Sequence, residues 1–297
     1  MRPLYAVLGV QVVLAATFAV LVLTGVIPLS TSDDSRSASA SARVDRFDGK
    51  AAYRLLRMQV AVGPRPAGSP ASRLLAERLR QLLPHGTFQA VPGGLRNIVG
   101  TVPGRDPRRY VVVGAHYDTK DIPGFVGAND GAGGTSAVVE LARRLRPRTI
   151  GPTVVFILFD GEETPAGIPD DQFLQKGIRG AKVAAKRYRH AQAMILLDFV
   201  ADKDLSLPRE GTSDEHLWSR LRSAAKRAGV GAYFPAATED DVEDDHTAFQ
   251  RVGVPAIDLI DWDFPCWHET CDDLSAVSER SLDVSGEAVA GLLRTLR

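Results

Sequence analysis

The chain has 297 residues, with 36 Lys and Arg against 36 Asp and Glu, so its formal net charge is zero. That length suits one large α/β domain, and the charge balance gives no footing for a nucleic-acid partner. Neither a G-x-S-x-G nucleophile elbow nor a phosphate-binding P-loop sequence is present, which argues against serine-hydrolase chemistry and against a nucleotide cofactor.

Residues 4 to 29 carry no charge, with Arg2 before them and Asp33 and Asp34 after. About 20 apolar residues suffice to span a bilayer. Residues 1–29 are therefore expected to be an uncleaved signal anchor that tethers the chain to a membrane and leaves the rest outside the cytoplasm. Secretion after signal cleavage is the alternative, since Ser37 to Ala42 offers small residues to a peptidase. The composition of residues 30–45 predicts a flexible linker, with the folded catalytic domain over 46–297. Helical spacing then covers 51–62 and 71–83, on either side of a rigid loop, Gly63 to Pro70. Short strands at 88–91 and 97–102 follow, joined by Pro92-Gly93-Gly94. Buried-strand runs at 110–115, 153–159, 193–197 and 255–260 alternate with helices at 135–145, 171–188 and 213–228. A closing helix spans 278–296 with Ser278 as its N-cap. Such alternation predicts a mostly parallel, mixed central sheet with helices on both faces, a three-layer α/β sandwich.

Chemistry in open α/β sheets sits beyond the carboxyl ends of the strands. The strand at 110–115 delivers His116 and Asp118, then Asp130 in a glycine turn. The next delivers Glu162 and Glu163, the third Asp198, and the last leads to Trp267 and His268. Asp130, Glu163 and His268 would make a three-ligand zinc site with an open position, and His116 with Asp198 would complete a second metal sharing Asp130. Glu162, a sequence neighbour of a ligand, points elsewhere and is free to act as general acid and base. Asp118 is expected to accept a hydrogen bond from His116 and fix its ring. The acidic run Glu239 to Asp245 reads by itself as a solvated loop. A carboxylate at Asp244, if brought near Glu162 and Asp198, would share protons with them. Cys266 and Cys271 flank His268. They are expected to form a disulfide that holds it still, with free buried thiols or a thiolate metal site as the alternatives.

At these residues the chain resembles metallopeptidase family 28, the zinc aminopeptidases, and within that fold it is most similar to the glutaminyl cyclases. The pieces that carry the resemblance are GPRPAGSP, NIVGTV, GAHYDTK, FVGANDGA, FDGEE, LLDFV, EDDHTAF followed by RVGVP, and FPCWH, in order from Gly63 to the C-terminus. The cyclase likeness implies one zinc on Asp130, Glu163 and His268. It also implies Glu162 as acid and base, Asp198 and Asp244 as its carboxylate partners, and Trp267 as a substrate-pocket wall. The implied reaction turns an N-terminal glutamine of a peptide into pyroglutamate and releases ammonia. The aminopeptidase likeness implies two zincs, through His116, Asp130, Glu163, Asp198 and His268, and hydrolysis of the N-terminal residue. Asp244, where the aminopeptidases more often carry Ser, leans to the cyclase. The lack of a second Trp between Thr164 and Phe173, where the cyclases place one, leans away and implies a more open pocket. A third reading, a non-catalytic ectodomain scaffold, sits poorly with a full ligand set.

Overall fold

The computed structural model describes residues 46–296. The expected signal anchor and linker lie outside the described residues, among which no helix is long and apolar enough to cross a membrane.

The chain begins with α1 (Gly49–Val60) and α2 (Pro70–Leu82), then β1 (Thr87–Val91), β2 (Leu95–Val102) and β3 (Asp106–His116). It continues through α3 (Ala132–Arg144), β4 (Pro152–Phe159), the single turn α4 (Phe173–Lys176), α5 (Arg179–Arg187) and β5 (Met194–Leu197). The last elements are α6 (Glu215–Ala228), α7 (Asp245–Gln250), β6 (Ala256–Leu259) and α8 (Glu279–Leu293). Local chemistry sets the helix starts. The side chains of Asp48, Ser69, Asp214 and Ser278 accept from backbone N–H groups in the first turns of α1, α2, α6 and α8. Gly229, at φ +77°, closes α6 in the left-handed conformation that glycine adopts without a Cβ clash.

The six strands order as β1-β2-β4-β3-β5-β6. β1 and β2 form an antiparallel hairpin, β2 runs antiparallel to β4, and β4, β3, β5 and β6 are parallel. The expected mixed sheet is thus present, and the four buried-strand runs are its parallel core. Register aligns their carboxyl ends: His116 lies opposite Phe159, and Leu197 opposite Leu259. Both faces are covered. Alternate residues such as Val111, Val113, Phe156 and Leu158 pack with α1, α2, α3, α6 and α8. Their neighbours Val112, Val155, Ile157 and Phe159 pack with α5 and α7. A third apolar group, Phe199, Val242, Ile260, Phe264 and Ala276, sits beyond the strand ends and supports the loops there.

One expected element is broken. The helix anticipated over 171–188 stops at Lys176 and restarts at Arg179. At the break the N–H groups of Ile178 and Arg179 donate to the carbonyls of Glu162 and Gly161, at 2.7 and 2.8 Å. Docking onto that loop wins over helix continuity, and it leaves Ile178 at φ +44°. The cysteines are bridged, Cys266 to Cys271. A five-residue separation closes too small a loop for large chain-entropy stabilisation, so the effect of the bridge is local.

Two outcomes follow from this packing. Helix α3 crosses β5 so closely that a Cβ on Gly134 would lie 2.0 Å from the Leu197 carbonyl oxygen. Gly134→Ala should therefore lower stability by about 1–3 kcal/mol, measured as a urea midpoint shift. Protein made in an oxidising compartment should show no free thiols when titrated in denaturant. Two thiols would contradict the bridge.

Candidate metal centre and active site

The strand ends place the titratable side chains, and two loops hold them in register. After β3 the chain runs beneath Arg65, which is fully buried. Arg65 donates through Nε to the Tyr117 carbonyl at 3.0 Å, and through Nη1 and Nη2 to the carbonyls of Val126 and Gly127 at 2.5 and 3.0 Å. Burial pulls its pKa down to about 10, against the opposing pull of Asp130, Asp272 and Asp118. The GPRPAGSP loop is thus more than a rigid turn, because its arginine ties the two ends of the 117–127 segment together.

Two buried carboxylates organise the backbone. Asp118 accepts from the N–H groups of Gly161 and Glu162 through Oδ1, at 3.0 and 3.2 Å, and from Glu163 through Oδ2 at 3.3 Å. Its distance to His116 Nδ1 is 3.8 Å, beyond hydrogen-bond range, so the expected bond fixing the His116 ring is not made. The loop amides were closer and more numerous partners. Asp272 accepts from the N–H groups of Asn129 and Asp130, at 2.7 and 3.0 Å. Gly131, at φ +89°, then lets the chain turn into α3 with His116 Cε1 only 3.2 Å from where a Cβ would stand.

On this frame Asp130 lies between two histidines. Its Oδ1 is 3.1 Å from His116 Nε2, and its Oδ2 is 3.6 Å from His268 Nε2. Glu163 Oε1 is 3.3 Å from His268 Nε2, and Asp198 Oδ1 is 3.5 Å from His116 Nε2. Two groups of three therefore converge: Asp130, Glu163 and His268, and His116, Asp130 and Asp198. They are the two groups of residues that the sequence offers as candidate ligand sets. Ligand atoms bound at about 2.0–2.2 Å in tetrahedral geometry stand about 3.4 Å apart, close to the spacing found here. His116 Nε2, Asp130 Oδ2 and Glu163 Oε1 are all buried without a hydrogen-bond partner among the described residues. Buried polar atoms left without partners and facing one another fit the binding of a cation.

The electrostatics carry the same message. Burial opposes charge on Asp130, yet His116, His268 and Arg65 outweigh it and hold its pKa below the usual carboxylate range. Burial likewise disfavours charge on His116, but Asp198, Asp118 and Asp130 overcome it and push its pKa well up. Glu162 is pushed well above the ordinary range by burial and then by neighbouring Glu163. Asp244 is pushed up by burial and then by Asp258, Asp198 and Glu162.

Asp130, Glu162, Glu163, Asp198, Asp244, Trp267 and His268 all line one cavity of about 290 Å³. Trp267 is 42% exposed and stacks on His268, with ring centroids 4.5 Å apart. His268 itself sits at φ +54°, within the loop that the disulfide closes. The segment after Glu163 contributes Phe173 to the cavity, and Phe199, Ile260 and Trp262 add apolar wall. The solvated-loop reading of the acidic run fails for its last two residues. Asp244 and Asp245 are buried, because Asp244 caps α7 and Thr247 Oγ1 accepts its N–H at 3.3 Å.

Sequence reasoning missed a buried group behind Asp244. His246 Nε2 lies 2.9 Å from Thr212 Oγ1 and 3.4 Å from Glu210 Oε2, and its Nδ1 lies 3.5 Å from Asp258 Oδ2. The available signal was Asp258, an acid inside the apolar run PAIDLI. It missed Lys120 too, whose Nζ lies 3.3 Å from Glu163 Oε2 and 2.9 Å from Thr164 Oγ1.

Known proteins are similar to this chain in sequence and fold. The glutaminyl-peptide cyclotransferase of Drosophila melanogaster is 28% identical over 220 residues, covering 63% of this chain and 61% of that protein, so the chain spans less than two thirds of that relative. A crystal structure of an Acidobacteriales bacterium glutaminyl cyclase superposes with a TM-score of 0.72 at 29% identity, covering 84% of this chain and 94% of the other. A Zn-dependent exopeptidase from Parabacteroides distasonis superposes with a TM-score of 0.74 at 26% identity, covering 84% and 98%. The family model for peptidase family M28 matches residues 97–293, a span that holds every histidine and carboxylate of the two ligand sets. The chain belongs to peptidase family M28.

Proposed function

We propose that this chain is a zinc-dependent glutaminyl-peptide cyclotransferase, acting on peptides with an N-terminal glutamine. The observation that carries this reading is Asp244, buried at the wall of the cavity that Glu162 and Asp198 also line, where burial and then Asp258, Asp198 and Glu162 push its pKa up. The aminopeptidases that the chain resembles more often carry Ser at this position. The names of the Drosophila relative and of the Acidobacteriales structure point the same way.

Asp130, Glu163 and His268 would hold the zinc. When bound, it would act as a Lewis acid on the side-chain amide of the substrate glutamine. The cavity takes that one residue, and the rest of the peptide leaves past Trp267. Glu162 accepts a proton from the α-amine. The α-nitrogen attacks the side-chain amide carbon and closes the five-membered lactam. The bond from that carbon to the amide nitrogen breaks, and Glu162 returns its proton to the departing nitrogen, which leaves as ammonia. Atoms and protons balance without water. Burial and then Glu163 raise the pKa of Glu162, which favours its holding the proton between the two nitrogens, and Asp198 and Asp244 line the same cavity as its carboxylate partners. The apolar wall keeps bulk water from competing.

The second ligand set, His116, Asp130 and Asp198, favours one other reading, a di-zinc aminopeptidase. In it Glu162 would activate a water, and the first peptide bond would be cut. The disulfide supports a domain working in an oxidising compartment, outside the cytoplasm, tethered through residues 4–29 or released from them.

Zinc-loaded protein incubated with a peptide beginning Gln-Leu should yield a product lighter by one ammonia with chain length kept, read by mass spectrometry. Loss of the whole glutamine would establish the peptidase instead. Glu162→Gln should cut turnover by about 10²–10⁴-fold while metal analysis shows zinc retained. Full activity in that variant would remove Glu162 from the mechanism.

A further inference from the structure

The cavity interior and the cavity mouth differ in how their charges are balanced. Inside, the carboxylates face His116, His268 and Lys120. At the mouth, Asp241 and Glu243 line the cavity and are exposed, and among the described residues neither side chain has an ion-pair or hydrogen-bond partner. They are not on a loose loop. The segment alternates, with Val242 and Asp244 buried between and after the two exposed acids. Val242 packs with Phe199, Ile260 and Phe264, and its N–H donates to Glu210 Oε1 at 3.1 Å. The two acids are therefore displayed by a pinned stretch of chain. Asp244, 3% exposed, lines the same cavity, and its Oδ2 is buried with no hydrogen-bond partner among the described residues.

Further acids crowd the same side. Burial and then Asp263 and Asp240 push Glu239 up. Burial and then Asp202, Glu239 and Asp263 push Asp261 to about 7, and no basic side chain offsets either group. Between Asp261 and Asp263 stands Trp262, 40% exposed. Its ring stacks on Phe199 at 6.1 Å and lies 5.3 Å from Trp267. An ammonium or guanidinium placed there would meet an indole face and a carboxylate together.

We propose that this mouth selects peptides with a cationic side chain at the second or third position, with Asp241 and Glu243 as specificity-determining residues and Trp262 as the platform. The proposal rests on the cyclotransferase reading for the position of the N-terminal residue. With that residue in the cavity, the next ones leave at about 3.3–3.6 Å per residue and pass the rim.

The test uses the full chain loaded with zinc and three amidated peptides: Gln-Arg-Arg, Gln-Ala-Ala and Gln-Glu-Glu. At low ionic strength kcat/KM should be about tenfold higher for the Arg peptide than for the Glu peptide, and the gap should close as salt is raised. The double variant Asp241→Asn/Glu243→Gln should bring the Arg-to-Glu ratio close to one, and Glu243→Lys should invert it. Equal kcat/KM for all three peptides would overturn the proposal while leaving the cyclotransferase reading intact. If no peptide is cyclised, that reading falls. The proposal is then decided by calorimetric Kd values for the same peptides, where tighter binding of the Arg peptide supports it and equal binding overturns it.

Discussion

The site depends on carboxylates that never need to meet substrate. Asp118 gathers the N–H groups of Gly161, Glu162 and Glu163, and Asp272 gathers those of Asn129 and Asp130. A hydrogen bond to a buried charged group contributes about 1.5–3 kcal/mol, and here several act on two short loops. What they fix is direction. With the amides of 161–163 pointed at one acceptor, consecutive glutamates must leave the backbone differently, so Glu163 turns to His268 while Glu162 stays apart from it. Arg65 performs the complementary task, occupying carbonyls where Asp118 and Asp272 occupy amides. Acceptors and donors of one irregular loop are thereby satisfied from opposite sides, as burial requires.

That scaffold packs acids at a density the protein interior does not tolerate unaided. Asp130, Glu162, Glu163, Asp198, Asp244, Asp245 and Asp258 are all buried within a short span of the strand ends. Each such group is shifted towards its neutral form unless a cation faces it. The structure divides them accordingly. Asp130 has two histidines and an arginine in its field and stays low. Burial and then mostly other acids push Asp244 and Asp258 up, and burial raises Asp245 although His116 and Lys182 oppose it. The boundary between the two sets lies at Asp198, whose Oδ1 is 3.5 Å from His116 Nε2 and whose charge helps push Asp244 and Asp258 up. A metal bound by Asp130, Glu163 and His268 would move that boundary, since a bound cation is the largest local charge in such a site.

Much of this was legible in the residues. The four buried-strand runs are short, apolar and followed by acids or histidine, and parallel pairing puts their ends on one edge. A mixed, mostly parallel sheet and the convergence of those acids and histidines therefore followed from the pattern. What stayed hidden depended on contacts between distant segments. Nothing local says that the helix must break so that Ile178 and Arg179 can meet the carbonyls of Glu162 and Gly161. Asp118 has the right spacing to serve His116, and only the folded loop shows three amides taking its place. Acidic composition made 239–245 look solvated throughout, whereas alternation along the chain buries every second side chain from Val242 to Asp244. Asp258 alone gave warning, as an acid inside an apolar run.

The two convergent groups do not by themselves decide between one cation and two. His116, Asp130 and Asp198 converge as closely as Asp130, Glu163 and His268 do, so the geometry is permissive for either. What sets the site apart is the wall behind them. Asp244 and Asp258 are buried there, and burial followed by charge of the same sign, that of Asp198 included, pushes both up. Behind them His246 lies between Asp258 and Glu210, with its Nε2 2.9 Å from Thr212 Oγ1. The acid wall behind the convergent residues, rather than those residues themselves, is therefore the distinctive feature of this site.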